Sequence, residues 1–209
     1  MALLSAHNLS CVKRDRVLFE KLALSVNGAE LLYIKGPNGA GKTSLLRILV
    51  GLSEAACGEV HFEGETISAV RDKYHAQLVY FGHKPGLNQN LTALENLHYW
   101  CLQHGHSYSQ SQYYHLLESL GLVGLEELPV ANLSAGQQRR VALARLWLKP
   151  QATLWVLDEP FTALDVQGIS LLKARIMQHL QAQGAVIMTS HQSLQLDYPT
   201  RELELEYRI

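Results

Sequence analysis

Gly36-Pro37-Asn38-Gly39-Ala40-Gly41-Lys42-Thr43 follows a short apolar run, residues 31–34, and leads into residues 44–50, which have helical apolar spacing and stop at Gly51. The pattern is G-x-x-x-x-G-K-[ST] between a buried strand and a helix. Glycines let backbone amides turn inward and approach a bulky anion. The helix that follows presents free N–H groups and the positive end of its dipole. Lys42 supplies a point charge for the outer phosphates, and the Thr43 hydroxyl is a hard ligand suited to Mg2+. Gly36, Pro37, Asn38, Gly39, Ala40, Gly41, Lys42, Thr43 and the adjoining Ser44 are therefore the expected triphosphate site. A plain glycine-rich turn before a surface helix is the competing reading, and the strand and helix flanks argue against it. The loop by itself says only nucleotide: it does not separate a kinase, a GTPase and a transport ATPase.

Further along, residues 153–157 read as a buried strand that ends in Asp158-Glu159. Asp158 is suited to hold Mg2+, and Glu159 to orient or deprotonate an attacking water. Consecutive strand residues point opposite ways, so their roles should differ. Acids commonly end strands as solvated groups; the phosphate loop upstream favours the functional reading. Residues 59–62, 78–81, 185–189 and 202–207 read as further strands. Residues 92–104, 110–120, 134–149 and 166–180 read as helices, with capping-box patterns at Thr92/Glu95 and Ser134/Gln137. Strands alternating with helices predict a largely parallel sheet covered by helices, with a helical subdomain inserted in the middle.

The 209 residues suffice for one α/β core with a modest insert. Charged residues are 18% and the formal net charge is −1, so no basic excess points to nucleic acid or lipid. Cys11, Cys57 and Cys101 lie far apart, which argues against a disulfide framework or a zinc site. His98, His104, His106 and His115 lie in the helical region; haem or metal ligation by His104 and His106 is the competing reading, and exposed polar histidines on helices and loops need no ligand. No apolar run approaches the roughly 20 residues of a membrane span, and the N-terminus lacks a secretory signal pattern. No direct membrane insertion is expected, so work at a membrane requires docking on a partner.

Leu133-Ser134-Ala135-Gly136-Gln137 resembles the LSGGQ signature of ABC ATPases, with Ala135 in place of a glycine. Asp158-Glu159-Pro160 and Ala163-Leu164-Asp165 resemble their Walker B and D-loop, and Thr189-Ser190-His191 their switch histidine. The resemblance implies a P-loop NTPase core of ABC ATPase type, with an antiparallel β region and an inserted helical subdomain. It places the catalytic core at about 1–83 and 150–209, and the helical subdomain at about 84–149. It implies an ATP-bound homodimer in which Ser134, Gly136 and Gln137 act across the interface. Lys42, Asp158, Glu159 and His191 act within their own chain, His191 at the γ-phosphate. The Ser134 and Gly136 amides, opening a helix, would form a second anion site; a plain capped helix is the alternative.

Longer strings, including Gln138-Arg139-Arg140 and Leu146-Trp147, resemble the ATP-binding subunits of cytochrome c maturation ABC complexes. That implies a peripheral protein on the cytoplasmic face of the inner membrane, partnered by integral membrane subunits. Its ATP hydrolysis would be linked to haem export or to release of a haem-loaded chaperone. An ATPase of another small ABC transporter, a soluble ABC ATPase acting on DNA or ribosomes, and a nucleotide-gated scaffold are the rivals. Two positions depart from the pattern. His83 stands where most ABC ATPases have the glutamine that reaches Mg2+. The stretch Val12-Lys13-Arg14-Asp15-Arg16 lacks the aromatic on which adenine usually stacks. Either an arginine face takes that role or the stretch is a basic exposed hairpin.

Overall fold

A computed structural model describes residues 2–190 and 196–207. It divides into two compact units: residues 1–83, 152–160 and 176–209 form one, and residues 84–151 and 161–175 the other. The resemblance puts 161–175 in the catalytic core; in the structure that stretch groups with the helical segment.

The first unit holds two sheets. The parallel one runs in the order β6 (Leu78–Phe81), β7 (Leu154–Asp158), β8 (Ala185–Thr189), β3 (Leu31–Lys35), β9 (Thr200–Glu204). Every residue of β7 and β8 is buried, as expected of strands covered on both faces. Register places Asp158 beside Thr189. β9, expected at 202–207, ends at Glu204; Leu205 leaves the strand but stays buried, its amide donating to Lys35 O at 2.9 Å.

The antiparallel sheet runs β2 (Arg16–Val26), β1 (Leu4–Lys13), β4 (Cys57–Phe62), β5 (Glu65–Thr66). In β1 the buried positions Leu4 and Ala6 change phase to Leu9 and Cys11, because Asn8 sits at φ 53 where the β1–β2 register shifts. Such a bulge re-aims every later side chain. Arg14 and Asp15, both at positive φ, form the two-residue turn between β1 and β2, where Lys13 pairs with Arg16. That geometry matches a tight turn whose twist suits the flanking strands. The turn leaves Arg16 as the first residue of β2.

Helix α1 (Lys42–Leu49) buries Leu45, Leu46, Ile48 and Leu49 in the core of this unit. Helix α2 (Arg71–Gln77) is anchored by one buried side chain, Tyr74, whose hydroxyl donates to Leu49 O at 2.8 Å.

The second unit packs α3 (Ala93–Gln103), α4 (Gln110–Ser119), α5 (Ala135–Leu143) and α6 (Arg145–Leu148) around Leu97, Leu117, Leu122, Val130 and Val141. Helix α7 (Val166–Gln181) begins here and ends in the first unit. Thr92, Ser109 and Ser134 open α3, α4 and α5 with full capping boxes. The single helix expected over 134–149 is interrupted at Ala144. There the ladder tightens: the Ala144 amide bonds both Arg140 O and Val141 O, and Trp147 N reaches back only to Ala144 O. Asn96 is buried yet satisfied, accepting from Asn88 N at 2.8 Å and donating to Asn88 O and Thr92 O. No helix among the described residues is long and apolar enough to cross a membrane.

Candidate functional site

The glycine-rich loop joins β3 to α1, with Gly36, Gly39 and Gly41 at φ 138, 82 and 100. Gly41 occupies the helix N-cap. Asn38, Gly39, Gly41, Lys42, Thr43 and Ser44 line a cavity of about 560 Å3 together with Lys13, Arg14, Arg16, Leu18 and Glu159. The other loop residues contribute differently. The Lys42 ammonium donates to Gly36 O at 2.7 Å and Pro37 O at 3.2 Å, which curls the side chain back along the loop. Ala40 is fully buried in the core and its amide donates to Pro37 O. It shapes the loop and does not line the cavity.

Gly36 is demanded twice. Its φ is unfavourable for side chains, and a β-carbon there would lie 2.3 Å from Leu205 O. Gly36→Ala should therefore lower stability by ~2–3 kcal/mol, a fall of ~5–10 °C in a thermal melt. Gly124→Ala isolates the backbone contribution: φ there is 76, and nothing lies within 4 Å of the added carbon. Its loss should stay near ~1 kcal/mol.

The acid pair sits across from the loop. Asp158 is 1% exposed, and hydroxyls meet both of its oxygens: Thr43 Oγ1 donates to Oδ2 and Thr189 Oγ1 to Oδ1, each at 2.8 Å. A buried carboxylate is tolerated when its lone pairs are met in this way. Nearby, burial first and then the Asp158 charge push the Tyr80 hydroxyl above its usual range. Glu159 leaves the strand at φ 50, and its amide donates to Thr189 Oγ1 at 3.0 Å. That turn carries the Glu159 side chain to the cavity wall. Thr189 thus ties the two acids together, a part the sequence reading did not give it.

Thr43 and Asp158 are hard oxygen donors in direct contact, a donor pair that fits Mg2+ when substrate phosphates and water complete the shell. No group of three or more His, Cys, Asp or Glu side chains is gathered for a metal among the described residues. His83 is exposed and does not line the cavity. His191 lies outside the described residues.

In the second unit, Ser134 and Gln137 bond each other. Ser134 N donates to Gln137 Oε1 at 2.8 Å, and Gln137 N to Ser134 Oγ at 3.3 Å. The expected use of the Ser134 amide for an anion needs correction: that N–H is taken by the capping box. Gly136 is sterically fixed, since a β-carbon would sit 2.8 Å from Ala163 O. Gln138 steadies the turn before α5 by donating to Val130 O and Leu133 O. Asp165 opens α7, accepting Gly168 N at 2.8 Å and bonding Arg140. The Gly168 amide, and then Arg140, hold its carboxyl below the usual range.

A glycine loop between strand and helix, its Lys-Thr pair facing a strand-end Asp-Glu pair, defines a P-loop nucleoside triphosphatase. The chain belongs to the ABC transporter family, whose model matches residues 19–162. It is 53% identical over 207 residues to the cytochrome c biogenesis ATP-binding export protein CcmA of Idiomarina loihiensis, covering 99% of this chain and 94% of that one. It is 50% identical to the protein of that name in Escherichia coli, covering 93% of this chain and 91% of that one. Among solved structures, a putative ABC transporter ATP-binding protein from Pyrococcus furiosus superposes with a TM-score of 0.81. Its identity is 25%, and the match covers 97% of this chain and 96% of that one.

Proposed function

We propose that this chain is the ATP-hydrolysing, energy-coupling subunit of an ABC exporter serving cytochrome c biogenesis. The observation that carries it is one cavity wall shared by Lys42, Thr43 and Glu159, with Asp158 bonded to Thr43 behind it. The near-full-length relatives named for cytochrome c biogenesis export supply the process.

In this reading the loop amides and Lys42 bind the triphosphate, Lys42 exchanging its loop carbonyls for phosphate oxygens. Thr43 and Asp158 would hold Mg2+, which would supply charge neutralisation at the phosphates. Glu159 orients the attacking water and accepts its proton. His191 steadies the γ-phosphate. The ATP-bound form is a homodimer in which the start of α5, opened by the Ser134–Gln137 capping box, meets nucleotide held by the second copy. Ser134 and Gln137 contribute hydroxyl and amide side chains, and Gly136 close backbone approach.

His83 links the nucleotide state to a partner at the edge of the helical segment. Lys42, Thr43, Asp158 and Glu159 belong to the catalytic core, and Ser134, Gly136 and Gln137 to the helical subdomain. The chain works at the cytoplasmic face of the inner membrane as a peripheral subunit. Integral membrane subunits perform the cargo step, haem export or release of a haem-loaded chaperone.

Affinity capture from detergent-solubilised membranes of the native cell tests this. Integral membrane proteins should co-purify, and their presence should raise ATP turnover. Recovery of only ribosomal or DNA-associated proteins would sink the assignment.

A further inference from the structure

The proposed site uses the phosphate loop and Glu159, and the same cavity is also lined by Lys13, Arg14, Arg16 and Leu18, which that reading leaves without a ligand group. Three of these are basic, yet a nucleoside triphosphate already meets Lys42 at its phosphates. What remains to be housed is a ribose and a flat base.

Arg16 has the surroundings of a platform. Its guanidinium lies over the Tyr207 ring, with Cζ 3.9 Å from the ring centroid. Arg16 lines the cavity and Tyr207 does not, so the planar cation stands between the ring and the cavity. Both partners are held. Arg16 opens β2 directly after the two-residue turn, paired with Lys13 across the hairpin. Tyr207 follows Leu205, which is buried and bonded through its amide to Lys35 O. The Tyr207 ring also abuts the phosphate loop, since a β-carbon on Gly39 would sit 3.2 Å from its Cε2 and 3.9 Å from Arg16 Nη1. The stacked pair therefore stands beside the phosphate loop, within the span of one nucleotide.

We propose that the nucleobase of the bound triphosphate stacks on the Arg16 guanidinium, and that Tyr207 is the positioning residue that holds this cation flat against the cavity. The inference rests on the proposed nucleotide site. A guanidinium is planar, weakly hydrated and polarisable, so a base stacks on its face. Pinning it on an aromatic ring removes the rotamer entropy that a free arginine loses on binding. The tail after β9 thereby becomes part of the nucleotide site.

Calorimetric titration of the full chain with Mg-ATP and with Mg-tripolyphosphate, which has no base, tests this. Arg16→Lys keeps the charge and removes the plane. It should weaken ATP by about 5- to 30-fold and change tripolyphosphate by less than about two-fold. Tyr207→Ala should weaken ATP by about three-fold or more, and Tyr207→Phe should restore wild-type affinity because the ring remains. Melting curves of all variants should overlay. ATP affinity unchanged in Arg16→Lys overturns the proposal. So does an equal loss for ATP and tripolyphosphate, which would make Arg16 a phosphate contact. Wild-type chain that binds neither ligand overturns the nucleotide reading itself and this inference with it.

Discussion

Glu159→Gln should lower ATP turnover by about 10²- to 10⁴-fold while ATP affinity stays within a few-fold of wild type. The size of the loss follows from the geometry. Asp158 already receives hydroxyl donors on both oxygens, so it is placed to hold charge. Glu159 is the carboxylate among the described residues that line the cavity. Its backbone is held at φ 50, a conformation few non-glycine residues adopt, by the bond from its amide to Thr189. Glutamine has the same shape and keeps the main-chain tether, so folding and binding should survive. It cannot accept the proton of the attacking water. Steady-state turnover, with Kd for ATP measured on the same preparation, checks this. A loss below ten-fold would remove Glu159 from the proton-accepting role, and a nucleotide-gated scaffold would show no change.

The substitution also separates what was legible in the sequence from what was not. The phosphate loop and the strand ending in Asp158-Glu159 were readable because each is a local pattern: glycines before a Lys-Thr pair, and an apolar run closed by acids. β7 and β8 were readable for the same reason, as unbroken apolar runs buried on both faces. β1 and β2 were not, because residues at positive φ, Asn8 in β1 and Lys21 in β2, shift the phase of alternation that period-two reading depends on. α2 was missed because one residue, Tyr74, anchors it, and one buried position has no period. Arg16 lies in a stretch, residues 12–16, that carries no aromatic residue. Its partner Tyr207 comes from the far end of the chain, so only the fold brings the two together.

Thr189→Val should cost ~2–4 kcal/mol of stability, a fall of ~5–12 °C in a thermal melt, and should lower ATP turnover about ten-fold or more. Thr189 is fully buried at the end of β8, and valine matches its shape and strand preference. Packing is therefore nearly unchanged, and the loss reports the hydroxyl. That hydroxyl serves twice, donating to Asp158 Oδ1 and accepting from Glu159 N. Without it a buried carboxylate oxygen loses its donor and a main-chain N–H its acceptor, which costs more than one exposed hydrogen bond. The catalytic loss follows because Glu159 would no longer be tethered to Asp158 through a shared partner. Nothing in the local sequence distinguishes Thr189 from any strand-end threonine. Its role comes from register, since β7 and β8 pair so that Asp158 and Thr189 lie side by side. Thr189→Ser supplies the decisive comparison: it keeps the hydroxyl and gives up a methyl group, so it should cost about 1 kcal/mol and keep turnover near wild type. Equal losses for the valine and serine variants would mean that packing, and not the hydroxyl bridge, sets the position of the two acids.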